Sequence, residues 1–180
     1  MLEMRNCTIE NPWKLGARRK LHSRGGAWGF IGAILMALAL APTPFAHAAD
    51  QDEREVRTVI RKAMENWSAL EAAANEAYYT TSDKAVFFDF TPMQYVGWKT
   101  YRREIEKAQA AIREFKITLN DDLFVRVLGK VAWAHCTWKM DFVYKDGRRR
   151  HLEGRLTEVL ERQNGRWRIV NEHASVPTPD

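Results

Sequence analysis

Val131-Ala-Trp-Ala-His-Cys-Thr-Trp-Lys-Met-Asp-Phe-Val-Tyr144 alternates small or apolar residues with polar ones along its whole length. It is followed by Lys145-Asp146-Gly147, a second run from Arg148 to Arg162, the turn Gln163-Asn164-Gly165, and a third run from Arg166 to Ser175. Asp-Gly and Asn-Gly between alternating runs are the strongest short-range hairpin signals, so this third of the chain reads as three long antiparallel strands. Everything upstream has to cover one face of that sheet.

Working back from Val131, Phe115-Lys-Ile-Thr-Leu119 and Leu123-Phe-Val-Arg-Val-Leu128 read as one strand, bent or broken at Asn120-Asp121-Asp122. Tyr101, Ile105, Ala108 and Ile112 fall on one helical stripe, which predicts an amphipathic helix from about Thr100. Val86-Phe-Phe-Asp-Phe90 inside the run from Ala85 reads as a short strand stopped at Pro92, and 93–98 as extended or looped. Val56, Val59, Ile60, Ala63, Met64, Trp67 and Leu70 predict a long helix from Asp52, with Ala-rich 71–79 continuing it or forming a short second helix. Helices gathered early and strands gathered late give an α+β fold, a curved antiparallel sheet forming a cone over three N-terminal helices. The mouth of such a cone is a pocket.

The 180 residues suit one domain, with 46% hydrophobic and 28% charged residues. The formal charge of +5 is concentrated at the N-terminus, where residues 1–48 carry six basic and two acidic groups. Residues 49–180 keep 22 basic and 21 acidic groups, a net of +1, which removes the electrostatic case for nucleic acid. The leader has a basic segment ending at Arg24, an apolar run over 25–41 and a small-residue site at Ala46-His47-Ala48. This predicts a signal peptide over 1–48, a domain over 49–180, a periplasmic or secreted location and no membrane span once the leader is removed. Cys136 would then be the one cysteine left, mid-strand and behaving as a small hydrophobe.

No phosphate loop, Cys-x-x-Cys, Gly-x-Ser-x-Gly or His-Glu-x-x-His occurs. The spacing of His135, His151 and His173 matches no ligand motif, so neither metal nor cofactor is expected.

The segments Leu123 to Ala134 and Glu153 to Pro177 resemble the SnoaL-like group of the nuclear transport factor 2 and ketosteroid isomerase superfamily. Gly154-Arg155-x-Thr157 and Gly165-x-Trp167-x-Ile169-Val170-x-x-His173-x-Ser175-x-Pro177 carry most of the match. The branch resembled also includes the association domain of calmodulin-dependent protein kinase, whose pocket arginines correspond here to Lys139, Glu158 and Ala174. The resemblance implies a curved sheet wrapped on three helices, commonly dimerising through the sheet, around a pocket whose chemistry varies among isomerases, cyclases and dehydratases.

Strand alternation divides the meander into Trp133, His135, Thr137 and Lys139 on one face and Ala134, Cys136, Trp138, Met140 and Phe142 on the other. The second, apolar face is expected to pack on helices or on a second subunit, giving a homodimer. A two-residue Asp146-Gly147 loop would set His135 opposite Glu158. A bulge at Gly165 would decide whether Glu158 shares a face with Asn171 and His173 or with Val170 and Glu172. Asp89 lies either in an apolar pocket wall or at an outward strand end. The candidate proton-transfer residues are Asp89 and His173, and the candidate ligand contacts are His135, Glu158, Lys139, Trp98, Tyr95, Trp67 and Glu172. The expected occupant is a small, largely apolar molecule; acid-base chemistry on a small carbonyl or ring compound is the alternative.

Overall fold

A computed structural model describes residues 44–90 and 92–178. Most of the leader, up to residue 43, lies outside the described residues. The first helix, α1, spans Pro44–Ser68 and so begins earlier than Asp52 and runs across the expected cleavage position. Proline suits a first helical position, and the alanines that follow are strong helix formers. Val56, Ile60, Ala63, Met64 and Trp67 are buried, on the three-to-four spacing of one face.

The helix ends in paired reverse bonds, Glu71 N to Asn66 O at 2.9 Å and Leu70 N to Trp67 O at 3.0 Å. Leu70 takes the left-handed position, φ 62°, that glycine usually fills, which is why no stop signal stood in the sequence. A short 3-10 helix, Ala72–Ala77, is clipped to α1 by the fully buried Asn75, whose Nδ2 donates to the Ala63 carbonyl at 3.2 Å. The second α-helix, α2, spans Trp98–Gln109.

Seven strands form one sheet: β1 (Val86–Phe88), β2 (Tyr95–Val96), β3 (Ile112–Leu119), β4 (Phe124–Leu128), β5 (Val131–Tyr144), β6 (Arg149–Gln163) and β7 (Arg166–Ser175). Their order is β2-β1-β7-β6-β5-β3, with β4 also on β5. β3 covers β5 from Tyr144 to Trp138, and β4 covers it from His135 to Val131. These are the two halves of the broken strand that the sequence suggested. The β1–β7 pairing is parallel; the others are antiparallel.

The face carrying Ala132, Ala134, Cys136, Trp138 and Met140 is buried together with residues of α1 and α2. Of the two coverings expected for this face, helices or a second subunit, it is the chain's own helices that lie on it. The reverse face exposes Phe124, Leu128, Val131 and Trp133. Arg162 of β6 fastens α1 to the sheet through Asp52 at 2.7 Å and Glu55 at 3.2 Å.

Two details fix the register. The β5–β6 connection has three residues, 145–147, closed by Tyr144 N to Arg148 O at 2.9 Å, so His135 pairs with Thr157 and Ala134 with Glu158. The β6–β7 turn is a two-residue loop in which Asn164 (φ 50°) and Gly165 (φ 79°) are both left-handed, and it adds no bulge. The shift occurs further on, where Leu160 faces Ile169 but Val159 faces Asn171, leaving Val170 as the extra residue. Beyond it Glu158 stands directly opposite Glu172.

Candidate functional site

The concave face of the sheet and the helices enclose a cavity of about 180 Å³. Met64 and Trp67 of α1, Tyr101 and Ile105 of α2, Ile117 of β3, Trp138 and Met140 of β5 and Leu156 of β6 form apolar walls. The polar lining includes Asp89, which follows β1, Tyr95 of β2, Gln109 of α2 and Glu172 of β7. Trp138 lines the cavity, and its indole nitrogen has no hydrogen-bond partner among the described residues.

The polar end of the cavity is one connected network. Trp67 Nε1 donates to Tyr79 Oη at 3.0 Å, and Tyr79 in turn donates to Glu172 Oε2. Tyr101 Oη donates to Glu172 Oε1 at 2.7 Å and also lies within hydrogen-bonding reach of Asp89. Phe90 N donates to Asp89 Oδ1 at 2.7 Å. Behind Glu172 stands Glu158, with no exposed surface and with neither carboxyl oxygen reached by an N–H or O–H among the described residues. Its polar neighbour is the Glu172 carboxylate, and two carboxylates make a hydrogen bond only if one carries a proton.

Burial therefore pushes the Glu158 carboxyl well above its ordinary range, and the neighbouring Glu172 charge pushes it further. Burial also raises Glu172, but the phenols of Tyr79 and Tyr101 and the Glu158 proton favour its charged form. The pair titrates as a unit, with Glu172 as the acceptor and Glu158 as the holder of the proton. Asp89 is raised by burial, with the Phe90 amide and Tyr101 acting against the rise. Burial next to Glu172 holds both phenols well above the normal tyrosine range, so they stay donors. The Cys136 thiol is pushed up to about 12, by burial first and Glu158 second, and is inert as a nucleophile at neutral pH.

Of the residues singled out from sequence, Asp89, Tyr95, Trp67 and Glu172 come together around this cavity. Glu158 supports Glu172 from behind. Trp98 is buried in the wall, stacked on Tyr79 with ring centroids 4.7 Å apart, and does not line the cavity. His173, His135 and Lys139 lie elsewhere, on the opposite face of the sheet. His173 is exposed beside Phe88, His135 is exposed against Phe124, and Lys139 sits 3.7 Å from Glu153 in solvent. The pairing of Asp89 with His173 across one pocket does not form, because the bulge at Val170 turns Glu172 inward and His173 outward. The His135–Glu158 couple fails for the matching reason in the three-residue β5–β6 loop.

Tyr79 escaped the sequence reading. It follows an alanine-rich stretch and forms an isolated parallel bridge with Ile169, a long-range contact that no local pattern announces.

The sequence profile of the SnoaL-like domain matches residues 56–179. The chain belongs to the SnoaL-like family. Solved structures similar to this SnoaL-like chain agree on the architecture. A nuclear transport factor 2-like superfamily protein from Salmonella enterica serovar Typhimurium superposes with a TM-score of 0.68 at 20% identity, over 72% of this chain and 94% of that one. A nuclear transport factor 2-like protein of unknown function from Pseudomonas putida gives 0.63 at 25% identity, over 72% and 89%. A candidate scytalone dehydratase from Novosphingobium aromaticivorans gives 0.64 at 10% identity, over 71% and 85%. No curated protein is a significant match.

Proposed function

We propose that this SnoaL-like protein is an exported binder of a small, largely apolar molecule, held in the cone with its polar end at Asp89, Tyr101 and Glu172. The observation that carries the reading is the cavity itself: apolar and aromatic walls converge on two carboxylates at one end, the arrangement of a site that grips a body and orients a polar group. In the exported protein the leader over 1–48 is removed. The test is a fluorescence titration with a panel of small ring compounds, following the cavity tryptophans. Binding is expected, and Ala108→Trp, which fills the cavity wall at an exposed position, is expected to abolish it without lowering the melting temperature. Failure of the whole panel to bind overturns the reading.

Catalysis is a second reading, supported by the raised Asp89 carboxyl beside the Tyr101 phenol. Here Asp89 moves a proton and Tyr101 steadies the developing charge on the substrate. Asp89→Asn is then expected to lower turnover of a carbonyl or ring substrate by orders of magnitude while binding persists.

The homodimer is proposed through the outer face, where Phe124, Leu128, Val131 and Trp133 are exposed together. Leu128→Glu is expected to yield monomers in light scattering. A wild-type chain that is already monomeric at micromolar concentration contradicts this.

A further inference from the structure

Three observations about the cavity bear on the charge of its occupant. Asp89 and Glu172 line it, and among the described residues no lysine, arginine or histidine does. Its walls include aromatic rings, Trp67 and Tyr101 among them, and ring faces attract cations. The network's donors are also spoken for. The Trp67 indole proton goes to Tyr79, the Tyr79 proton to Glu172, and Tyr101 has a single proton for two carboxylates, committed to Glu172 at 2.7 Å. Asp89 accepts the Phe90 amide on one oxygen and shares the Tyr101 phenol with Glu172, so the carboxylates at this end outnumber the cationic groups, of which the described lining has none.

We propose that the cavity selects an apolar molecule ending in a protonated amine, with the ammonium group on Asp89 beside Glu172 and the body against Trp67 and Tyr101. This rests on the reading of the cavity as a ligand site and names the charge of its occupant. An ammonium brings several donors and a positive charge to a place that supplies acceptors and ring faces.

Proton linkage follows. The groups around Asp89 are Tyr95 from β2, Tyr101 from α2 and Glu172 from β7, with Glu158 of β6 and Tyr79 behind Glu172. Without a ligand, burial favours the protonated Asp89. Entry of a cation favours its carboxylate, and the displaced proton leaves to solvent. Amine affinity therefore rises with pH through the raised Asp89 range. A neutral carbonyl compound behaves oppositely: it accepts from a protonated Asp89 and binds more weakly as pH rises.

The experiment is calorimetry of the full chain with 2-phenylethylamine, 2-phenylethanol and 3-phenylpropanoate, repeated in buffers of different ionisation enthalpy and across pH. The amine is expected to bind at least about tenfold more tightly than the alcohol, to gain affinity with pH and to release a proton. The anion is expected not to bind. Asp89→Asn should remove the preference for the amine while alcohol binding persists. The pH series on the unaltered protein reads the same charge should that variant not fold. Alcohol binding as tight as amine binding, with no proton release, overturns the charge assignment and leaves the ligand site standing. Absence of binding by all three overturns both.

Discussion

The two sides of the sheet hold titratable residues under opposite conditions, carboxylates buried on one and histidines and lysine exposed on the other. On the concave side, Glu158, Glu172 and Asp89 sit among aromatic rings, and the phenol protons of Tyr79 and Tyr101 go to Glu172. On the convex side, His135, His173 and Lys139 lie in water, opposite or beside threonine and glutamate. A change of one residue in register would exchange these sets. Composition told which residues could do chemistry, whereas a bulge and a loop length decided which of them face the cavity.

The concave side should be far less tolerant of change. A Cβ on Gly154 would run into the Trp138 ring and the Ser175 carbonyl, and the latter is backbone that cannot swing aside. Gly154→Ala is expected to cost about 3 kcal/mol or more in chemical denaturation. A loss no larger than that of a surface mutation would show that the sheet opens there.

Tyr79→Phe strands the Trp67 indole N–H and takes one donor from Glu172. A cost of about 2 kcal/mol is expected, with the apolar contacts kept. A neutral result would mean that the network adds nothing to stability.

Glu158→Gln separates the two sides of the sheet through pH. The native state holds the Glu158 proton more tightly than the unfolded chain, where the carboxyl titrates near 4.5. Unfolding thus releases a proton, and stability falls as pH rises from about that value toward the raised native one. The amide mimics the protonated carboxyl as a donor to Glu172, so the variant is expected to lose this decline and to equal or exceed the wild type at neutral pH. Denaturant midpoints between pH 5 and 8 check it; parallel profiles for the two proteins would contradict a buried proton.

The smallest effects belong to the convex side. His173→Ala and Lys139→Ala should each change stability by roughly 0.5 kcal/mol or less and leave ligand binding untouched.

Much of the fold was legible because the deciding signals are local. The Asn164-Gly165 turn, the alternation in β5 and the stripe Val56, Ile60, Ala63 and Trp67 each state their structure within a few residues. Part of the cavity lining was legible too: Asp89 between Phe88 and Phe90 stood open between an apolar wall and an outward strand end, and it lines the cavity with Tyr95 and Trp67. The rest depends on register. Nothing in Ile169-Val170-Asn171 announces a bulge, and so the sequence could not separate Glu172 from His173. Tyr79 reaches Glu172 only through the long-range bridge to Ile169, and the unusual helix end at Leu70 hides where that segment turns.

If the ligand binds on the concave side as proposed, the tryptophan indole N–H signals read it directly. Trp67 and Trp138 line the cavity, whereas Trp133 stands on the convex face. In a nuclear magnetic resonance titration with 2-phenylethylamine, the Trp67 and Trp138 signals should move together while Trp133 stays fixed. Movement of Trp133 with the other two unchanged would place the ligand on the outer face and contradict the account.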